Sequence, residues 1–322
     1  MSDSRALASM DALLGKFGEL HSAPLIARQI LDLTKSNDYD VRQVVECLEA
    51  DPALAAKILR IVNSTHYGLA HGVTSLRKAV TMMGRRSLRL IVTTFSLVEG
   101  LTKGVSGRLY NAYWRNALTM ACAASRLSAH HKELVKDNAY SAGLLVDIGM
   151  LAFAQAERVR YTKLLLEAPL SAELVQVERS AFGFDHAMLG ARLLERWGFP
   201  EELIEATACH HEANPSTNPT ILATQAAAEI TDVLWNTNSQ LLASLRAFLL
   251  EQFGMTTDDF IDLAIGCRDD IQLQADLLGV KFQETFDCQA LMEQAKRQQF
   301  ELSLETALDL DSLAANFEDH AG

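Results

Sequence analysis

The sequence contains few aromatic residues, few prolines and few cysteines. Of 322 residues, 7% are aromatic, 6 are proline and 5 are cysteine, whereas 49% are hydrophobic. Ala, Leu, Glu and Arg, which are strong helix formers, are prominent. The composition therefore predicts an all-α protein, long enough for one large domain or two ordinary ones with a sizeable core.

The cysteines do not predict a disulfide framework or a redox motif. They are odd in number, widely spaced and form no Cys-x-x-Cys pair, so free thiols in a reducing compartment are expected. Even Cys209, beside His210, is better explained as a small buried residue than as a nucleophile. The five positions are Cys47, Cys122, Cys209, Cys267 and Cys288.

The net charge is −12, which opposes general binding to nucleic acid backbones and to anionic membranes. No apolar run reaches the length expected of a membrane span, and Met1 to Arg5 lacks the charged and apolar regions of a signal peptide. We therefore expect a cytoplasmic protein.

The most informative stretch is apolar, runs from Ala139 to Met150 and contains a single acid, Asp147. Asp137 or Asn138 is the predicted N-cap of a helix. The apolar residues that recur at helical spacing are Tyr140, Leu144, Ile148 and Leu151. These features predict that the Asp147 carboxylate lies on a packed helix, where it needs a neighbouring amide, an arginine or a metal ion as partner.

Three histidines follow on or beside apolar helical segments: His186, His210 and His211. Imidazole and carboxylate together suit Mn, Fe, Zn or Mg, and helical bundles commonly present such ligands inward. Spacing alone leaves capping, surface and core roles open. Because His210 and His211 cannot face the same way on one regular helix, we expect at most one of them to be a direct ligand.

The densest basic cluster comprises Arg77, Lys78, Arg85, Arg86 and Arg89. Such clusters are usually solvated faces or complements to helix C-termini. The alternative is a site for an anion or an acidic partner.

Eight motifs follow one another along the first two thirds of the chain. They are Asp51–Gly68, Val73–Val80, Gly84, Tyr113–Asn116, Ala142–Gly149, Phe182–His186, Trp197–Glu201 and Cys209–Glu212. From about Phe17 to Trp235 the chain resembles the HDOD domain, the HD-related output domain of bacterial signalling proteins. That domain is related to the HD and HD-GYP metal-dependent phosphohydrolases.

The resemblance implies a multi-helix fold in which an N-terminal helical lobe packs on a degenerate HD-like helical bundle. The lobe would span about 17–105 and the bundle about 106–235. A helical extension at 1–16 precedes this domain, and extra C-terminal helices at 236–322 follow it.

The resemblance also implies a vestigial metal site at Asp147, His186, His210 and His211. Two ligand positions of the catalytic relatives are lost, because Asn116 replaces the early histidine and Val146 the histidine of the His-Asp pair. Met150 stands where HD-GYP enzymes have lysine, and the late acid is at best Glu229 or Asp232. We expect no two-metal hydrolase centre and no required cofactor, with at most one weakly held divalent ion.

The expected function is a non-catalytic signal-transduction module that binds other signalling proteins, with room for a nucleotide or another small ligand in the cleft near Asp147. The alternative is a metal-dependent phosphohydrolase that acts on a nucleotide or cyclic dinucleotide. Neither nucleic acid nor a membrane is an expected partner. A protein partner would dock on the seam between lobe and bundle, at Asn63, Tyr67, Arg85, Arg86 and Arg89.

Overall fold

The computed structural model describes residues 2–16, 29–30, 32–34, 38–63, 72–102, 105, 107–167, 173–236, 241–278, 280, 282 and 285–300. Within these ranges all regular secondary structure is helical, which confirms the predicted all-α class. The first seven helices are α1 (Ser2–Leu14), α2 (Val41–Glu49), α3 (Pro52–Val62), α4 (Leu76–Thr102), α5 (Gly107–Leu127), α6 (Lys136–Leu145) and α7 (Ile148–Ala156). The next seven are α8 (Arg158–Glu167), α9 (Glu173–Phe182), α10 (His186–Arg196), α11 (Glu201–Cys209), α12 (Pro219–Trp235), α13 (Leu242–Phe253) and α14 (Thr257–Leu278). A further helical stretch covers 288–300.

Local signals start and break the helices of the N-terminal lobe as predicted. The Asp51 carboxylate accepts the N–H of Leu54 at 3.0 Å, and α3 begins with Pro52. In α4, Gly84 has φ 71° and ψ 169°, a backbone conformation that interrupts the helix and that residues with a Cβ atom rarely adopt. Helices α2, α3 and α4 pack against one another to form the lobe.

The bundle is organised around α5, which packs against α6 and α12. Helix α7 packs against α10, and α10 against α11, so that these helices line one interior. Tyr113 of α5 is fully buried and donates its hydroxyl hydrogen to the carbonyl oxygen of Leu144 at 3.0 Å. This bond ties α5 to the end of α6, next to Asp147.

The Asp147 stretch is not one continuous helix, so the sequence-based placement of Asp147 was wrong. Helix α6 ends at Leu145, and Asp147 occupies the turn before α7 with φ −89° and ψ 7°. The predicted N-cap was also wrong, because Val135 caps α6 without a side-chain hydrogen bond and Asp137 lies in its first turn. From this turn between the two helices, the Asp147 carboxylate can extend beyond the end of α6, which a residue within a helix could not do.

The stretch Lys136–Ala156 is long and apolar enough to cross a membrane, with a mean hydropathy of 1.3. The expectation that no run reaches this length was therefore wrong. However, 89% of this window is buried inside the protein, where it forms α6, the Asp147 turn and α7. Its apolar character is accounted for by its position in the middle of the bundle.

The C-terminal helices pack directly on the rest of the protein. Helix α14 contacts both α5 of the bundle and α3 of the lobe. Arg126 of α5 forms an ion pair with Asp270 of α14 at 2.7 Å, and the Asp270 side chain is only 7% exposed. The segment after residue 235 thus completes the covering of the bundle.

Candidate metal site

Three turns bring the candidate ligands to one place. Asp147 lies between α6 and α7, and His186 is the first residue of α10. Asp185 caps α10 by accepting the N–H of Met188 at 2.9 Å, and it also pairs with Arg179 at 2.6 Å. His210 is the C-cap of α11, and His211 follows it in a turn.

Two glycines allow α7 and α10 to approach closely enough for Asp147 to meet His186. A Cβ atom on Gly149 would overlap the backbone of His186, and one on Gly190 would lie 3.0 Å from the Thr207 side chain and 3.1 Å from the Gly149 nitrogen. The two helices therefore touch backbone to backbone just beyond the site. Larger residues would push Asp147 away from His186.

Asp147, His186, His210 and His211 form a compact group in which one ligand atom from each residue lies within 4.8 Å of the others. The Oδ1 atom of Asp147 is 3.5 Å from Nε2 of His186 and 3.4 Å from Nε2 of His210. The Nε2 atoms of His186 and His211 are 3.0 Å apart. Atoms at these separations surround a space in which one divalent ion could contact all of them after small adjustments.

The premise that His210 and His211 cannot face the same way was wrong. Helix α11 ends at Cys209, so the regular helical geometry on which that premise depended does not apply to these residues. Their ring centroids are 4.0 Å apart, and both rings face the group. His210 is buried, whereas His211 is exposed and forms the side of the site that faces solvent.

The hydrogen bonding of His210 fits a metal ligand. Its Nδ1 lies 2.8 Å from the carbonyl oxygen of Thr207, which can only accept, so Nδ1 carries the hydrogen. In the neutral ring Nε2 then has a free lone pair directed at the group. Among the described residues, this buried Nε2 atom has no hydrogen-bond partner. A buried, unpartnered imidazole nitrogen beside a carboxylate is the arrangement that a metal ion would satisfy.

Sequence reasoning missed Glu178, which contacts His186 from the opposite side. Glu178 is fully buried, and its Oε2 lies 2.7 Å from Nδ1 of His186. The signal was present in the sequence, because Glu178 occupies the apolar face of α9 together with Leu174 and Val175, four and three residues earlier. An acid at such a position needs a buried partner, and His186 provides it.

The group is electrostatically coupled. Burial acts to raise the pKa of Asp147, but the imidazoles of His186 and His210 beside its carboxylate outweigh burial and hold that pKa well below its usual range. For His186, burial acts to lower the pKa, yet Glu178 and Asp147 raise it well above the usual value. Desolvation of its ring lowers the pKa of His211, and His210 and His186 beside it lower that pKa further.

The positions where the resemblance implies lost ligands contribute nothing to this group. Val146 and Met150 are buried among apolar residues. Asn116 lies on α5 next to Arg115, whose Nε donates to its side-chain oxygen at 3.4 Å. Glu229 and Asp232, the candidates for a late acid, lie on α12 outside the group of four. Within the described residues, the ligand atoms of the group of four are therefore enough to hold one metal ion.

The predicted partner seam is partly used by internal contacts. The Asn63 side chain clamps Val73, donating to its carbonyl oxygen at 2.7 Å and accepting from its N–H at 2.5 Å. Arg89 donates to the buried hydroxyl of Thr34 at 3.1 Å, and Arg85 donates to the Thr34 carbonyl oxygen at 3.4 Å. Tyr67 and the Arg86 side chain lie outside the described residues. Docking of a partner on this seam stays a prediction.

The comparison with protein families agrees with the resemblance. A family model described as the HDOD domain matches residues 20–213. A curated relative, an uncharacterized protein of Treponema pallidum (strain Nichols), is 26% identical over 199 residues, which is 58% of this chain and 37% of that protein. The chain thus spans little more than a third of the length of this relative.

Solved structures share the fold. A candidate phosphohydrolase from Shewanella amazonensis SB2B aligns with a TM-score of 0.62 and 23% identity over 83% of this chain and 98% of its own. An HDOD domain protein from Geobacter sulfurreducens aligns with a TM-score of 0.62 and 22% identity over 87% and 99% of the two chains. A candidate signal transduction protein from Marinobacter aquaeolei VT8 aligns at 0.61 and 19% identity, over 87% and 67%. At these identities the likeness concerns the fold alone.

Proposed function

This chain belongs to the HDOD domain family, and we propose that it is a non-catalytic signalling module that binds one divalent metal ion in the bundle. The observation that carries the proposal is the convergence of three imidazole nitrogens on the Asp147 carboxylate. Family membership and the candidate signal transduction protein among its structural neighbours support the signalling role.

The metal would be held by Asp147, His186, His210 and His211. Three nitrogen donors with one carboxylate oxygen favour Zn, Fe, Mn, Co or Ni over Ca and Mg, which prefer all-oxygen sites. A bound divalent ion would supply a Lewis-acidic centre able to accept an anionic ligand. Because His211 is exposed, such a ligand could reach the site from solvent on that side.

The non-catalytic part of the proposal depends on Val146. In the catalytic relatives this position is a histidine that binds metal, whereas here an isopropyl group with 0% exposure is packed in the core. The donors around Asp147 can hold one ion, and a two-ion mechanism requires separate ligands for the second ion. Asn116 in place of the early histidine removes another of those ligands.

The metal content of protein purified without chelators or affinity-tag metal tests the first part. We expect about one equivalent of a transition metal in the wild type, because four donors are typical of a single-ion site. His210→Ala should lose that metal while the protein stays folded. Two equivalents in the wild type, or none, would contradict the single-ion proposal.

A hydrolysis assay tests the second part against its rival, a metal-dependent phosphohydrolase. The intact group of four ligands is the observation that favours the rival. Bis-p-nitrophenyl phosphate and cyclic dinucleotides would be offered with Mn, Mg, Ni or Fe. We expect no turnover above that of Asp147→Ala. Turnover that Asp147→Ala abolishes would establish the enzyme.

The partner is proposed to be another signalling protein that docks on the seam around Arg85 and Arg86. The overall charge of −12 argues against nucleic acid. A pull-down with wild type and with a folded Arg85→Glu, Arg86→Glu variant tests the placement. Identical partners for both proteins would move the docking site elsewhere on the surface.

A further inference from the structure

Glu178 is completely enclosed, and both of its carboxylate oxygens are engaged by hydrogen-bond donors. Oε2 accepts the backbone N–H of His186 at 2.8 Å and lies 2.7 Å from Nδ1 of the same residue. Oε1 accepts the hydroxyl hydrogen of Tyr161 at 2.7 Å. One acid thus holds both the backbone and the ring of His186.

These contacts determine which nitrogen of His186 faces the Asp147 side. An ionised carboxylate can only accept, so Nδ1 of His186 carries a hydrogen. Nε2 is therefore the nitrogen available for a metal ion, and it points at Asp147 Oδ1, 3.5 Å away, and at His211 Nε2, 3.0 Å away. Carboxylates commonly orient metal-binding imidazoles in this way.

The ring of Tyr161, whose hydroxyl contacts Glu178, packs in a cluster of aromatic side chains. Tyr161 stacks on Phe153 with ring centroids 5.0 Å apart, and Phe182 and Phe184 flank Phe153 at 4.6 Å and 5.5 Å. Tyr161 and Phe153 have 0% exposure. Hydrogen bonds to a charged group shielded from water in this manner are stronger than their solvated equivalents.

The charges of the site also favour a divalent ion. Asp147 and Glu178 are two buried carboxylates on opposite sides of the His186 ring, with exposures of 2% and 0%. Two negative charges in the interior are costly unless positive charge compensates them. A doubly charged cation bound by neutral imidazoles is balanced by the two carboxylates of Asp147 and Glu178. If Asp147 were the one carboxylate at the site, the bound ion would leave one positive charge uncompensated.

We propose that Glu178 is a positioning residue for the metal site: it holds His186 with Nε2 toward the ion and supplies the second negative charge. Tyr161 assists by fixing the carboxylate. This inference rests on the proposed function, since it concerns the affinity of the same site for a divalent ion.

The test measures Zn(II) affinity by competition with a chromophoric chelator for the wild type, Glu178→Gln and Tyr161→Phe. Glu178→Gln should weaken binding about 10- to 100-fold, the usual effect of losing an outer partner of a ligand. Tyr161→Phe should weaken it less, because the carboxylate and its charge remain. Glu202→Gln is the matched control, since Glu202 accepts hydrogen bonds from Asn138 and Thr220 away from the site. The Zn(II) affinity of this variant should equal that of the wild type.

A second measurement uses the wild type and does not depend on the folding of a variant. Long-range 1H–15N NMR of the Zn-loaded protein should show His186 bound through Nε2 with a hydrogen on Nδ1. Binding through Nδ1, or wild-type affinity in both Glu178→Gln and Tyr161→Phe, would overturn the role of Glu178 while leaving a metal site in place. A wild type that binds no Zn(II), Mn(II) or Fe(II) would refute the proposed function itself.

Discussion

Gly149 lies directly against the backbone carbonyl of His186, where a Cβ atom would overlap it. This contact sets the distance between α7 and α10, and with it the distance between the residue that precedes α7, Asp147, and the residue that begins α10. The geometry of the candidate metal site therefore depends on a residue that contributes no ligand.

Gly149→Ala should destabilise the protein and weaken the metal site together. Because the obstructing atoms are backbone and cannot rotate away, the cost should reach the upper part of the about 1–3 kcal/mol typical of overpacking. Urea unfolding and Zn(II) competition measure the two effects. Gly107→Ala is the control, since a Cβ atom there has nothing within 4 Å, and it should leave both quantities unchanged. Unaltered Zn(II) affinity in Gly149→Ala would show that the helices can separate without moving the ligands.

Val146→His should not create a hydrolase. Val146 is fully buried, so the imidazole would lose its hydration in an apolar core at a cost of about 1–3 kcal/mol. The second metal would still lack the early histidine, whose position the resemblance assigns to Asn116. We expect a lower urea midpoint than wild type and no phosphodiester turnover with Mn, Mg, Ni or Fe. Turnover that requires Asp147 would contradict this expectation.

Asp11 of α1 should contribute stability in a pH-dependent way. It receives two hydrogen bonds from Arg192 of α10, at 2.8 Å and 2.9 Å, and Arg196 approaches to 3.1 Å. The bond from Arg192 lowers the pKa of Asp11 from 3.8, so its contribution is present above pH 3.8 and is lost as pH falls through the lower folded value. Asp11→Asn should cost at most about 1 kcal/mol at pH 7, since the pair is partly exposed.

Urea unfolding of wild type and Asp11→Asn at pH 7 and at successively lower pH measures this contribution. The difference between the two proteins should shrink below pH 3.8. A difference that stays constant or grows on acidification would refute the role of the ion pair.

The Arg126–Asp270 ion pair should be the main polar interaction between the C-terminal helices and the bundle. Asp270 is buried, so Arg126→Met removes the cation that is hydrogen-bonded to its carboxylate and should cost about 3–5 kcal/mol. Adding Asp270→Leu should recover most of that loss. The exposed pair Arg268–Asp269 is the matched control, and Arg268→Met should cost less than about 1 kcal/mol. If urea unfolding showed that both arginine substitutions lower the free energy of unfolding equally, the Arg126–Asp270 pair would not be the main polar contact between these helices.

The helical class, several helix boundaries and the family follow from the amino-acid sequence without the fold. Asp51 and Pro52 start α3 and Gly84 interrupts α4 because capping and backbone conformation depend on neighbours within a few residues. The resemblance rests on motifs spread over two thirds of the chain, and the family model confirms it. The sequence also predicts Asp147 and the three histidines as the candidate site residues.

How those residues meet depends on the packing of the helices. Asp147 lies in a turn instead of on a helix, and both His210 and His211 face it because α11 ends before them. Glu178 became recognisable as a partner of His186 only through the packing of α9 beside the start of α10. Helical periodicity describes contacts within one element, whereas these distances depend on how separate helices cross, at places such as Gly149 and Gly190.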